Sequence, residues 1–277
     1  MPPARDEEDI GEKVKRFYTQ GHTNNAPPAL YDAYDYSAFW KGRDFEHLAD
    51  HIAVSRLIAN IPPPHRRLID VGAGTGRMAP LYESKWESFI LLDPSKEQLQ
   101  TAQQKLSHPE KAEFVIGSAE SIPLPDASCD AAISTRVFHY IADPRRAIRE
   151  IRRILVPGGY CILEIPNKRH AKARLKSWYS PSTRHELASR EPKHISAKND
   201  RFVFVNHSPE SIRDTLLTEW FTIIETLSVS NFRNETAKKI LPLSWLLSFE
   251  RMLQAPLAKS WFGPSIYFLA KKKKEAP

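Results

Sequence analysis

Cysteine is nearly absent from this chain: two in 277 residues, too few for a disulfide framework or a cysteine-based zinc site. Both, Cys129 and Cys161, sit in apolar runs and read as reduced, buried thiols. Long hydrophobic runs are missing too. No stretch approaches the ~20 uninterrupted apolar residues of a membrane span. The opening MPPARDEEDI is acidic where a secretory signal would carry an apolar core. These absences predict a cytoplasmic, metal-free protein. Glycine is also scarce, ten in the whole chain, yet three of the ten fall within five residues, in LIDVGAGTGR (68–77). Glycine costs backbone entropy and is placed where a chain must turn sharply or let another group come close.

Around that turn, short apolar runs alternate with helical ones. RLIDV (67–71) predicts a first buried strand and 76–84 a helix. SFILLD (88–93) predicts a second strand, followed by a helix over 95–106 with Ser95 at its cap. AEFVIG (112–117) and CDAAIS (129–134) give the third and fourth strands. PRRAIREIRRIL (144–155) is amphipathic, with Asp143 as cap and Pro144 in its first turn, and PGGYCILEIP (157–166) enters a fifth strand. After an aperiodic stretch from Asn167, a helix over 208–220, a strand over 221–230, helices over 236–258 broken at Pro242 and a strand over 265–272 complete the pattern. The alternation predicts a Rossmann-like α/β fold: a seven-stranded, mainly parallel sheet with helices on both faces. An N-terminal helical segment over 1–60 precedes a domain over 61–277, which carries insertions at 167–206 and 233–262.

A strand, a glycine turn and a helix start form a receptacle for nucleotide-like ligands. The spacing here is G-x-G-x-G, with Arg77 where a dinucleotide fingerprint runs on to its last glycine. Asp70, just before the turn, would repel a pyrophosphate and attract a cation. Asp93, at the end of the second strand, is placed to accept both hydroxyls of a ribose.

LIDVGAGTGR, LLDPS, GSAESIPLPDASCDAAIS and LVPGGYCILEIPN, in that order, resemble the class I S-adenosylmethionine-dependent methyltransferases, in particular the group that includes the ubiquinone and menaquinone methyltransferases. The resemblance covers roughly residues 65–232. It implies S-adenosyl-L-methionine as cofactor. Gly72, Ala73, Gly74 and Gly76 would lie against its methionyl part, with Asp70 near the ammonium. Asp93, followed by Pro94, would hold the ribose, and Ser118, Ala119 and Glu120 the adenine. Thr135 and Arg136 would border the methyl group. Many relatives carry aspartate where this chain has Ser118; serine accepts more weakly, and Glu120 can share the work.

Methyl transfer from a sulfonium needs positioning more than acid–base chemistry. Where a base is required, His139 is the first candidate, with Tyr36 beside it, and Glu164 and His207 follow. Each has a plain structural alternative as a packing or capping residue. The aromatic stretch holding Tyr31, Tyr34, Tyr36, Phe39 and Trp40 suits a lid over the cofactor mouth, with Tyr36, Trp40 and Arg43 in it and Gly42 as hinge, or else a helix packing on the sheet. Residues 167–206 hold ten Lys or Arg against three Asp or Glu. That excess suits an anionic acceptor, RNA or an acidic membrane surface, or merely a solvated face. Three readings stay open: an enzyme methylating a small or lipid-like acceptor, an RNA methyltransferase using the basic insert with Trp178, Tyr179 and Phe202, and a non-catalytic cofactor-binding protein.

Overall fold

The computed structural model describes residues 40, 42–141, 143–196 and 203–274. The elements are α1 (Asp44–Ala59), β1 (Arg67–Val71), β2 (Ser88–Asp93), α2 (Lys96–Lys105), β3 (Ala112–Ile116), β4 (Cys129–Ser134), α3 (Pro144–Ile154), β5 (Leu155–Pro166), α4 (Ala171–Ser177), α5 (Pro181–Ala188), β6 (Lys193–Ser196), β7 (Val203–Asn206), α6 (Pro209–Thr218), β8 (Phe221–Val229), α7 (Glu235–Ile240), α8 (Leu243–Ala258) and β9 (Ser265–Lys272). Seven strands form one sheet in the order β3-β2-β1-β4-β5-β9-β8. The first five run parallel; β9 is antiparallel to both β5 and β8. β8 therefore points the same way as β5, and the carboxyl ends of β1, β2, β4, β5 and β8 share one edge.

Apolar side chains fill both faces. Ile69, Ile90, Ala132 and Leu163 pack under α3 and α6, and Leu68, Phe89, Leu91 and Ile133 pack under α1 and the turns after β1. The expected caps form: Ser95 Oγ accepts the Gln98 amide, and Asp143 accepts those of Arg145 and Arg146.

Two local departures have physical causes. The helix expected over 76–84 is a run of turns with a 3₁₀ segment at Ala79–Leu81. Its bonds run i to i+3, Ala79 to Gly76 and Tyr82 to Ala79, because Pro80 lacks a donor and its ring blocks a regular α-turn. The stretch after Asn167 is not aperiodic: it holds α4, α5 and the antiparallel pair β6–β7. It is tied down by the Lys168 ammonium, buried against the carbonyls of Glu186, Ser189 and Glu191. α1 contributes Ala49, Ala53, Val54, Leu57 and Ile58 to the core. Residues 1–39, with most of the expected lid, lie outside the described residues.

Candidate functional site

The carboxyl edge of the sheet opens into a cleft of about 990 Å³, counted with its mouth. β1 delivers Asp70 to its floor, and the glycine turn folds back over β2, Gly72 and Ala73 donating amides to the Leu92 carbonyl at 2.7 and 3.0 Å. Gly72 has φ +74°, and a Cβ there would lie 2.2 Å from Val137 Cγ2; only glycine fits. Gly74 has φ +53° with no atom within 4 Å of the place a Cβ would take, so its bare face adjoins open space.

Three carboxylates line the cleft, each in a different state. Asp93 accepts the Gly74 amide on Oδ2 (2.8 Å) and the Ser95 amide on Oδ1 (2.9 Å). Asp70 is buried and accepts the Tyr82 hydroxyl at 2.9 Å. Burial pushes its pKa up to about 7, against the Tyr82 bond and the Arg77 charge, which pull it down. Glu120 is also raised to about 7 by burial, and its Oε1 is buried without a hydrogen-bond partner. A buried acid with a raised pKa, an orphaned acceptor, a carboxylate at a strand end and an open glycine face fit a ligand carrying an ammonium, an amino-purine and a ribose. Asp70, Glu120, Asp93 and Gly74 could hold those groups in turn.

Of the expected cofactor residues, Asp70, Gly72, Ala73, Gly74, Asp93, Pro94, Ser118, Ala119, Glu120, Thr135 and Arg136 all line the cleft. Gly76 does not. It packs against α2, where a Cβ would approach Ala102 Cβ to 3.2 Å. His139 does not line it either. Its ring lies 4.0 Å from that of Tyr140 and 5.5 Å from that of Phe204, and burial, with Arg136 and His207 adding to it, lowers its pKa to about 3. Tyr140, one residue on, is the side chain that reaches the cleft. His207 is buried, its Nε2 2.8 Å from the Phe138 carbonyl. Glu164 is buried and accepts the Arg136 amide at 2.9 Å. Tyr36 and Phe202 lie outside the described residues.

An anchor from α1 escapes the sequence. Asp50, fully buried, takes Arg136 in two bonds, Nε–Oδ2 3.1 Å and Nη2–Oδ1 2.9 Å, and Arg77 at 3.1 Å. Arg136 sits at φ +60° at the end of β4, so this pairing fixes both the strand end and the turn after the glycines. The Trp40 ring covers the Arg77 guanidinium at 4.1 Å and lines the cleft. An acid among Ala49, Ala53 and Leu57 on the buried helix face, one turn after the buried Glu46, is the one signal that points to Asp50.

Binding of a cation beside Asp70 requires that acid ionised. Affinity for such a ligand should therefore rise by up to tenfold per pH unit below about 7 and level off above it. Asp70→Asn should remove that slope, and Tyr82→Phe should move the inflection upward, because the lost bond favours the ionised form. Calorimetric titration across pH 5.5–8.5 (about 1.5 units either side of neutral) reads both. A slope that survives Asp70→Asn and vanishes in Glu120→Gln would assign it to Glu120 instead.

Residues 69–163 match the family described as a methyltransferase domain. The chain is 37% identical over 99 residues to an uncharacterized methyltransferase of Mycobacterium tuberculosis, covering 36% of this chain and 39% of that one. It is 33% identical over 131 residues to the demethylmenaquinone methyltransferase of Thermotoga maritima, covering 46% and 55%. The alignment thus spans about two fifths of the length of the first of these curated relatives. In structure it resembles a chain of the complex between the Haloferax volcanii Trm112 methyltransferase activator and a candidate methyltransferase, with a TM-score of 0.60, 21% identity and coverage of 90% and 99%. That likeness concerns the fold. Among the described residues, no group of three or more His, Cys, Asp or Glu could hold a metal ion, and no helix is long and apolar enough to cross a membrane.

Proposed function

We propose that this chain, whose residues 69–163 form a methyltransferase domain of the S-adenosylmethionine-dependent class, transfers a methyl group to a small or lipid-like acceptor. The observation that carries the reading is the convergence of Asp70, Gly74, Asp93 and Glu120 on one cleft. Bound S-adenosylmethionine supplies an electrophilic methyl on a sulfonium. The protein's share is placement. Asp93, held at the end of β2 by the Gly74 and Ser95 amides, presents its carboxylate to a ribose, and Asp70 neutralises an ammonium that also holds it ionised. Glu120, with Ser118 beside it, accepts from an adenine amine. The Arg146 side chain donates to the Glu120 carbonyl at 3.0 Å and so fixes that loop.

Thr135 and Arg136 end β4 at the cleft wall and border the reacting methyl. The Arg136 guanidinium is committed to Asp50, so its backbone, rigid at φ +60°, sets that wall. Trp40, with Gly42 at φ +75° two residues on, forms part of a cover that excludes water. Tyr140 lies in the cleft lining where His139 does not, and so stands nearer an acceptor.

The basic insert offers less to RNA than its composition suggests. Arg169, Arg190 and Lys193 pair with Glu210, Asp214 and Glu186, and Lys168 is buried. Incubation of a cell extract with the enzyme and methyl-labelled cofactor, followed by mass spectrometry, should give a labelled small molecule or lipid. Label found in RNA would replace the acceptor assignment, and no label in any fraction would support the non-catalytic reading.

A further inference from the structure

Helix α8 has its polarity reversed. Its buried stripe is Leu246, Glu250, Gln254 and Ala258, two of the four polar. Glu250 there accepts the Ser230 and Asn231 amides, and Gln254 donates to the Ala49 carbonyl. Its outward stripe is Trp245, Phe249 and Met252, at i, i+4 and i+7, with Trp245 60% exposed. A surface helix normally shows the opposite arrangement.

The same character appears in the other insertion. Trp178 and Tyr179, which follow α4, are 76% and 75% exposed. Among the described residues, eight of the twelve exposed large apolar side chains fall within 171–179 and 240–252. A concentration of this kind marks an interaction surface.

Topology puts both segments at one edge. α4 follows the carboxyl end of β5 and α7 that of β8, and these two strands point the same way on either side of β9. Local contacts connect them. Phe249 meets Phe232 at 6.3 Å between ring centroids, and the adjacent Arg233 acts electrostatically on His170, the N-cap of α4.

Most of the charge around these side chains is positive, with Arg233 and Lys238 paired to the buried Glu46. Lys172, Arg174 and Lys176 lie on α4, with no acid in 171–179. From 233 to 258 the acids are Glu235 and Glu250, the second buried, against Arg233, Lys238, Lys239 and Arg251. A groove between α8 and α1, lined by Ser244, Ser248 and Arg251 opposite Ser55 and Arg56, adds polar and cationic groups beside the Trp245–Phe249 ridge.

We propose that this rim is a docking surface for a lipid bilayer bearing anionic headgroups. Trp245, Phe249, Met252, Trp178 and Tyr179 enter the interface, where amphipathic rings are most at home. The α4 cations and Lys239 meet the headgroups. A second copy of the chain is a poor occupant, since face-to-face pairing would bring these cations together.

The test is co-sedimentation of the full chain, without cofactor, with vesicles of phosphatidylcholine alone and of phosphatidylcholine mixed with phosphatidylglycerol. Binding should require phosphatidylglycerol and weaken as salt is raised. Trp245→Ser with Phe249→Ser should lower it about tenfold. Lys172→Glu with Lys176→Glu should lower it by at least fivefold for each cation removed. Melting temperatures of both variants within a degree or so of the parent would show that the fold is kept.

Equal binding to neutral vesicles, or no binding to either kind, would overturn the proposal. So would a wild type that sediments as a dimer in the absence of lipid and becomes monomeric in the Trp245/Phe249 variant. None of these readouts involves methyl transfer, so the docking surface can fail while the proposed activity stands, and the reverse.

Discussion

Asp50→Ala should destabilise the protein by about 3 kcal/mol, a drop in melting temperature of roughly 6 °C for a chain of this size. The Asp50 carboxylate is the shared counter-charge of Arg136 and Arg77, at 2.9 and 3.1 Å. Removing it leaves two guanidiniums desolvated without their partner. The figure is the low end of the range for a broken buried ion pair, because the Arg136 side chain keeps 25% of its surface in solvent. Desolvation alone would raise the Asp50 pKa; Arg136 and Arg77 outweigh it and hold the carboxyl below its ordinary value. A depressed folded pKa stabilises above the unfolded value, near 4, and that contribution is lost as pH falls through the folded one. The gap between wild type and Asp50→Ala, measured by thermal melts, should thus be full at neutral pH and shrink in acid below about 4. A neutral-pH difference under about 1 kcal/mol would mean that the arginines find other acceptors.

Gly74→Val should have the largest effect on ligand binding, at least a hundredfold loss of affinity for the demethylated cofactor. The space beside the Gly74 α-carbon is empty within 4 Å, so a branched side chain clashes with nothing in the protein and takes volume that the ligand needs. The backbone at φ +53° adds roughly 1–2 kcal/mol of strain, borne by the fold. A moderately lower melting temperature with binding abolished is the expected pattern. Gly72→Val should differ, because its Cβ would collide with Val137 at 2.2 Å and the fold itself should suffer. Binding retained in a folded Gly74→Val variant would place the ligand elsewhere.

The sheet is legible in the sequence because each strand is a short apolar run closed by a turn residue. Asp70 and Asp93 are legible for the same reason: an acid ending such a run can only stand at the strand's carboxyl edge. What the pattern hides depends on contacts far apart in the chain. Asp50 and Arg136 are 86 residues apart, and no local period couples them. His139 and Tyr140 share a 3₁₀ turn, where consecutive side chains diverge by about 120°. Their choice of face is set by packing against Phe204, beyond any single-residue rule. Gly76 has the residue type of the cleft glycines but faces Ala102. The pair β6–β7 consists of four-residue strands, too short for alternation to stand out.

Titration calorimetry with S-adenosylhomocysteine tests the central claim most directly. Wild-type protein should bind it, with no comparable heat from NAD. Folded Asp93→Ala should bind at least tenfold more weakly, since each lost charge-assisted bond to a hydroxyl is worth about 1.5–3 kcal/mol. A wild type that binds neither ligand, or an Asp93→Ala variant of unchanged affinity, would contradict the assignment of this cleft.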